Sequence, residues 1–394
     1  MNKKFFIGGV ITALITMAGS LIAPSEVRYL NTLTNNSTLI GLTFGVGSLF
    51  LAIFSLYIGR LSDRFGRKNF ILAGLLFGIV YPLLYASTYN IFSYMGVRFV
   101  WAFSAATTGP VFMAYLQDLL INNKNKGTYL GYLFSIQAIC GSIGALIGGL
   151  ISSKFGLRTP YYALALVFLI ALLISLIHFY FNKEKAVSIK NKKPINKNLF
   201  FSVYYIFSKP ILVFYFLFDI SYKLNWGIKN MIWPLIIYAF SKNDAITGSV
   251  FATMGIVAFI ALPFAGKFVD RYGVKKSLFI SGFILGSFGL VLVFSKTLVV
   301  FWIAAGLYAI GEAFHGPTAG VVMIDNVESQ YRGEVLGFKT AFDKILTTIS
   351  PFLAGIFLTF FTLQEVLFFY IFLFWITLLG LIFLDKIAFC KKIS

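Results

Sequence analysis

Three pairs of ionisable side chains lie deep inside long apolar stretches in the second half of the chain. They are Asp219 with Lys223, Glu312 with His315, and Lys339 with Asp343, the last followed at once by Lys344. Residues three or four apart share one face of an α-helix, so each pair can project into the same space. A carboxylate beside an amine or imidazole can take up, hold and release a proton, a chemistry of relays and coupling rather than of bond cleavage. Three carboxylates (Asp219, Glu312, Asp343) oppose three amines (Lys223, Lys339, Lys344), which predicts mutual neutralisation. No Gly-x-x-x-x-Gly-Lys-Ser/Thr phosphate loop and no His-Glu-x-x-His metal site occurs, and the two histidines, His178 and His315, fall on different predicted helices. The residues therefore argue against an enzyme and require no cofactor or metal.

The stretches that hold these residues are too apolar for a soluble domain. Hydrophobic residues make up 59% of the chain and charged residues 12%, against about 25% charged in soluble domains, and the mean hydropathy is +0.86. Twelve apolar runs are long enough to cross roughly 30 Å of hydrocarbon: 5–24, 38–60, 69–88, 90–118, 128–152, 159–181, 210–240, 246–267, 276–295, 297–325, 333–361 and 364–385. The first follows Lys3 and Lys4 like a signal peptide, but its length and the absence of a clean small-residue cleavage site predict a retained helix. The 46 Phe lie within these runs, which assigns them to packing and lipid contact rather than to stacking on bases. At about 1.5 Å per residue, Asp219, Glu312 and Asp343 sit roughly 14 to 22 Å from their helix ends, near the midplane. An isolated charge at that depth costs at least a few kcal/mol, so these residues are expected to meet in one polar cavity.

The chain also contains itself twice. The stretch from Gly59 to Lys68 (GRLSDRFGRK) returns as Gly266 to Lys275 (GKFVDRYGVK), 207 positions on, and so do Gly109-Pro110 as Gly316-Pro317 and Asp118 as Asp325. At an offset of 206, Lys126-Gly127 and Gly131 return as Arg332-Gly333 and Gly337. The expected architecture is an all-α integral membrane protein of twelve transmembrane helices in two pseudo-symmetric six-helix bundles. The bundles are residues 1–182 and 210–394, joined by a lysine-rich linker at 183–209. Repeats of this length made of apolar segments are a mark of secondary transporters.

Lys and Arg concentrate on alternate connections: Arg60, Arg64, Arg67 and Lys68; Lys124 and Lys126; Lys183 to Lys197; Lys267, Arg271, Lys275 and Lys276; and Arg332. The opposite connections are poorer, Glu26 and Arg28 being a mixed pair on the first of them. The bias predicts a cell-membrane protein with both termini cytoplasmic. It also accounts for the formal charge of +19 through anionic lipid head groups rather than nucleic acid. Cys140 and Cys390 form no disulfide framework.

Here the residues carry a resemblance. Gly59, Leu61, Asp63, Arg64, Gly66, Arg67 and Lys68 match the signature between helices 2 and 3 of the major facilitator superfamily, and the chain resembles that family over essentially its whole length. The glycines permit a tight turn, and Asp63 suits a helix N-terminus. The resemblance implies a conformational latch built of Gly59, Asp63, Arg64, Gly66 and Arg67, docking on the eleventh run near Arg332. Gly266, Asp270, Arg271 and Gly273 would mirror it at the fifth run near Gly127. Arg98 resembles the family's helix 4 arginine, linked there to proton coupling, with Trp101 and Ala102 where Gln and Gly are usual. Gly144-Ala145-Leu146-Ile147-Gly148-Gly149 is similar to the Gly-Pro-x-x-Gly-Gly pattern of antiporters, with Ala145 for the proline and Pro351 at the repeat-equivalent position.

Drug:proton antiporters of this family carry acidic residues in helices 7 and 10, where Asp219 and Glu312 stand. The reading that follows is a monomeric, proton-coupled exporter of small apolar or cationic compounds in which substrate and proton compete for Glu312 and Asp219. Two alternatives remain open: uptake or exchange of an anionic metabolite held by Lys223, Lys339 and Lys344, and a non-transporting membrane receptor or scaffold. The repeat isolates the charges, because the first-half equivalents are Thr12, Thr16, Ala105, Thr108, Leu133, Gln137 and Ala138.

Overall fold

The computed structural model describes residues 3–119, 126–181, 199–328 and 332–390. The first half comprises α1 (Lys3–Ile22), α2 (Glu26–Leu33), α3 (Ser37–Phe65), α4 (Arg67–Ala86), α5 (Ile91–Ala106), α6 (Phe112–Asp118), α7 (Lys126–Phe155) and α8 (Thr159–Phe181). The second comprises α9 (Leu199–Phe207), α10 (Pro210–Ser241), α11 (Asp244–Tyr272), α12 (Val274–Phe294), α13 (Leu298–Asn326), α14 (Arg332–Phe357) and α15 (Leu363–Cys390). Two large apolar cores form among the described residues, one drawn from residues between Phe5 and Phe179 with Met231 added, the other from residues between Tyr205 and Phe374. Each half thus buries its own stripe of Leu, Ile, Phe and Tyr, as two bundles require.

Among the described residues, eleven helical spans are long and apolar enough to cross a membrane. The twelfth expected crossing, α14, is helical at 26 residues but carries Lys339, Asp343 and Lys344 along its middle, so hydropathy alone does not select it. The fourth expected run is interrupted. A π-helical turn at Thr107–Val111 separates α5 from α6, where Pro110 has no N–H to donate and the ladder widens to accommodate it. Its repeat counterpart, Gly316-Pro317, stays inside α13. Part of the expected linker is ordered, since α9 occupies 199–207; residues 182–198 lie outside the described residues.

Loop residues set the helix starts. The Asn90 side chain accepts from the Ser93 amide at 2.8 Å to open α5, and Asn243 does the same for Ala245 at α11, satisfying amides that have no intrahelical partner. Gly66 and Gly273 break α3 from α4 and α11 from α12 with φ of 91° and 80°, a region that L side chains rarely enter. The two turns of the repeated motif are therefore alike in backbone as well as sequence.

The halves meet through α7 against α11 and α3 against α14. The approach is close at the end that carries α2. A methyl group on Gly41 would run into the Pro351 carbonyl, and one on Gly149 would strike the Asp244 carbonyl. Gly355 sits on Ser37, and Gly45 on the Thr348 carbonyl. At the opposite end, a Cβ on Gly59 or Gly266 would meet nothing within 4 Å.

Candidate functional site: a buried ionic network in the second half

Helices α10, α13 and α14 bring four of the expected charges together. Asp219 is fully buried, at 0% exposure, so it stands in hydrocarbon-like surroundings where an ionised carboxylate survives only with compensation. His315 donates to it from Nε2 at 2.7 Å, Lys339 Nζ lies 3.1 Å from its other oxygen, and the Tyr215 hydroxyl donates at 3.4 Å. Lys339 is shared, reaching Asp343 at 2.6 Å. Asp343 in turn is 3.3 Å from Lys223, whose side chain is 21% exposed. The result is a continuous path, His315–Asp219–Lys339–Asp343–Lys223, from a sealed interior to a partly open rim. One oxygen of Asp343 is buried without a hydrogen-bond partner among the described residues. His315 is held flat against Tyr222, ring centroids 3.7 Å apart and 9° from parallel, which fixes the nitrogen that faces Asp219.

Glu312 belongs to a second unit. Lys229 donates to both of its oxygens, at 2.8 and 2.7 Å, and the same amine lies over Trp226 and Trp233 at 5.1 and 5.3 Å from the ring centroids. This corrects two expectations. Glu312 pairs with α10 rather than with His315 on its own helix, and the balance of three amines against three carboxylates omitted Lys229. With it the count is four amines (Lys223, Lys229, Lys339, Lys344) to three acids. The signal was present in the sequence, because Tyr222, Trp226, Lys229 and Trp233 follow the i, i+4, i+7, i+11 stripe of one helix face.

Arg98 does not join this network. It is buried on α5 and donates to Glu26 at 2.8 Å, with the Tyr94 hydroxyl on the same oxygen at 2.9 Å and Tyr161 on Tyr94 at 3.1 Å. Glu26 was expected on a connection between crossings; it opens the short helix α2 and is buried. Two residues on, Arg28 crosses to the other half. It meets Asp244 at 2.6 Å and covers the Tyr238 ring at 3.4 Å, while Ser152 of α7 donates to the same Asp244 oxygen at 2.6 Å. Asp244 is 1% exposed. A clasp of Arg28, Ser152 and Asp244 therefore closes the α2 end beside the glycine contacts.

The repeated motif is seen only in part. Arg67 holds Asp118 at 2.7 Å within its own half, Arg64 is exposed over Phe65, and Arg271 lies over Tyr272. The side chains of Asp63 and Arg332 and those around Gly127 lie outside the described residues. Asp270 is exposed and makes no hydrogen bond or ion pair among the described residues; the side chains at the start of α7 on which its docking was expected lie outside them. His178 bonds the Tyr115 hydroxyl at 2.8 Å, a packing role apart from the ionic network. No group of three or more His, Cys, Asp or Glu that could hold a metal is found among the described residues.

Comparison with known proteins agrees with this architecture. The profile of the Major Facilitator Superfamily matches residues 6–224 and 220–389. An MFS-type transporter of Methanocaldococcus jannaschii is 28% identical over 347 residues, 86% of this chain and 87% of the relative. The class H tetracycline resistance protein of Pasteurella multocida is 29% identical over 287 residues, 71% and 70% of the two chains. The multidrug resistance protein MdtG of a Rahnella species is 26% identical over 369 residues, 90% and 86%. Among solved structures, the nucleoside transporter NupG superposes with a TM-score of 0.80 at 14% identity, over 98% of this chain and all of that one. A shared fold at that identity says nothing about cargo. With two six-helix halves, a repeated turn motif and a family match over nearly all of its length, the chain is a transporter of the Major Facilitator Superfamily.

Proposed function

We propose that the chain exports small amphipathic compounds by alternating access, driven by protons that titrate the path from Lys223 through Asp343 and Lys339 to Asp219. The observation that carries this is the sharing of one amine, Lys339, between two carboxylates of unequal burial. A proton on Asp343 removes one of the two charges that hold Lys339 and, among the described residues, the only one that holds Lys223. Lys339 then leans on Asp219 alone, and Lys223 is released toward the rim. Deprotonation restores the bridge. A carboxylate pair sharing a cation is thereby a two-state element whose balance both proton and cargo can bias, as coupling demands.

The asymmetry of contact between the halves supports an inward-facing state under the topology read from Lys and Arg, which places both termini in the cytoplasm and α2 outside. The seal is on the α2 side, while at the other end a Cβ added on Gly59 or Gly266 would meet nothing within 4 Å. The resistance proteins among the relatives favour the outward direction, since transport that protects a cell must remove the compound.

The test uses proteoliposomes with an imposed pH gradient and tetracycline as the probe. Asp219→Asn is near-isosteric and leaves Lys339 its bond to Asp343. It should abolish gradient-driven accumulation while retaining gradient-independent exchange of labelled tetracycline. Accumulation by Asp219→Asn at the parent level would remove this network from the coupling.

A further inference from the structure

Lys344 is the one amine of the central cluster for which no carboxylate is positioned. It lies on the α14 stripe 344–348–351–355, at the i, i+4, i+7, i+11 spacing of one helix face. The outer members of that stripe pack on α3, with Gly355 on Ser37, Pro351 on Gly41 and Thr348 on Gly45. The same antiparallel register sets Lys344 level with Ser48 and Leu49, one turn past the seal, where the stripe still faces the first half. Neither residue is acidic. The carboxylates described in the first half, Glu26 and Asp118, are committed to Arg98 and Arg67. Lys344 makes no side-chain hydrogen bond or ion pair among the described residues, and its charged neighbours are Lys223 and Asp343. Lys223 itself holds Asp343 at 3.3 Å, on an oxygen that Lys339 already occupies at 2.6 Å. The central cluster therefore carries four amines against three acids, and the surplus cation faces the space between the halves.

An uncompensated ammonium at this depth is unfavourable by several kcal/mol, and an anion arriving between Lys344 and Lys223 would relieve it. One turn along α10 from Lys223, Trp226 is 47% exposed and continues the stack of Tyr222 at 6.1 Å, an apolar face beside the two amines. We infer that the cargo of this site is an amphipathic organic anion, its carboxylate, sulfonate or phosphate held by Lys344 and Lys223 and its ring laid on Trp226. The inference rests on the transport reading above and reverses the cationic cargo expected from sequence. Negative charge on the cargo also fits the proposed exchange, because an anion and an ionised Asp343 compete for Lys223.

The experiment compares three probes with one ring system, 2-naphthoate, 2-naphthalenemethanol and 2-naphthylmethylammonium, binding to purified full-length protein at fixed pH, read by tryptophan fluorescence. Naphthoate should bind at least about tenfold tighter than the alcohol, and the ammonium weaker than either. Lys344→Gln should remove naphthoate's advantage over the alcohol, and Lys344→Arg should keep it. A tighter ammonium, or equal naphthoate binding by Lys344→Gln, overturns the inference. If Lys344→Gln unfolds, the probe ranking on the parent and the Arg variant decides alone. No gradient is present, so failed proton coupling leaves this result intact; conversely, naphthoate binding without pH-driven transport would count against the coupling and not against the anion site.

Discussion

Substituting Glu312 by Gln separates a structural ion pair from a coupling group. The carboxylate faces Lys229 with both oxygens within 2.8 Å, and the side chains are 13% and 12% exposed. Removing one partner of such a pair costs about 3–5 kcal/mol, chiefly because the other charge is left buried and alone. Here two indoles flank the amine, and cation–π attraction offsets about 1–2 kcal/mol of that loss. The expected net destabilisation is about 2–3 kcal/mol. Removing both charges in Glu312→Gln/Lys229→Met should return stability to within about 1 kcal/mol of the parent, since an apolar replacement of a buried pair is commonly neutral. At about 2–4 °C per kcal/mol for a unit of some 200 residues, the single variant should melt roughly 5–10 °C lower and the double variant close to the parent. Trp226 and Trp233 report directly in a fluorescence melt at fixed scan rate. A Glu312→Gln protein melting within about 1 °C of the parent, or a double variant worse than the single, would refute the claim that Glu312 holds Lys229 as a charge. Gradient-driven transport by the restored double variant would assign the pair to structure and leave the coupling to Asp219 and Asp343.

Arg28→Gln should loosen the closed end. Truncating one partner of a buried charge pair costs about 2 kcal/mol or more, which raises the fraction of molecules open at the α2 end roughly 30-fold. With Cys140 and Cys390 replaced by Ser, an Ala145→Cys reporter in the buried seal should then label faster with a membrane-impermeant maleimide; an unchanged rate would deny the clasp a role. Arg98→Gln should be poorly folded, because it strands Glu26 among Tyr85, Tyr94 and Tyr161, whereas Glu26→Gln/Arg98→Gln should fold and transport with the pH gradient. Loss of coupling in a well-folded double variant would return Arg98 to the proton pathway that the family resemblance implies.

The architecture was legible because its signals are local or periodic. Apolar run length gave the crossings, the 207-residue offset gave the halves, and Gly66 and Gly273 gave turns whose positive φ demands glycine. The pairing of charges was not legible. Spacing on one helix suggested Asp219 with Lys223 and Glu312 with His315, yet only Lys339 with Asp343 bond as i, i+4 partners. Sharing a face sends two side chains toward the same neighbour; it does not turn them toward each other. Which neighbour they meet depends on the rotation and tilt of packed helices, set by contacts far away in sequence such as those that place His315 96 residues from Asp219. Glu26 was misplaced for a related reason. Eight residues between two crossings look like a loop by hydropathy, and only packing of Val27, Tyr29 and Leu30 into the first-half core makes them a buried helix.

The placement of α2 joins the two functional ends of the first half. Glu26 and Arg28 are two residues apart, so on a helix their side chains leave about 200° apart around the axis. One is tied inward to Arg98 and the other outward to Asp244 across the boundary between halves. A clasp resists opening only as far as its base is fixed, and an eight-residue helix has little stability of its own in water. The buried pair Glu26–Arg98, with Tyr29 bonded to the Tyr85 and Thr88 carbonyls at 3.0 Å, is what fixes it. The first half carries Thr12, Thr16 and Gln137 where its twin keeps Asp219, Lys223 and Asp343. The buried ion pair Glu26–Arg98 anchors the base of the clasp, and under the proposed mechanism the groups that titrate lie in the second half.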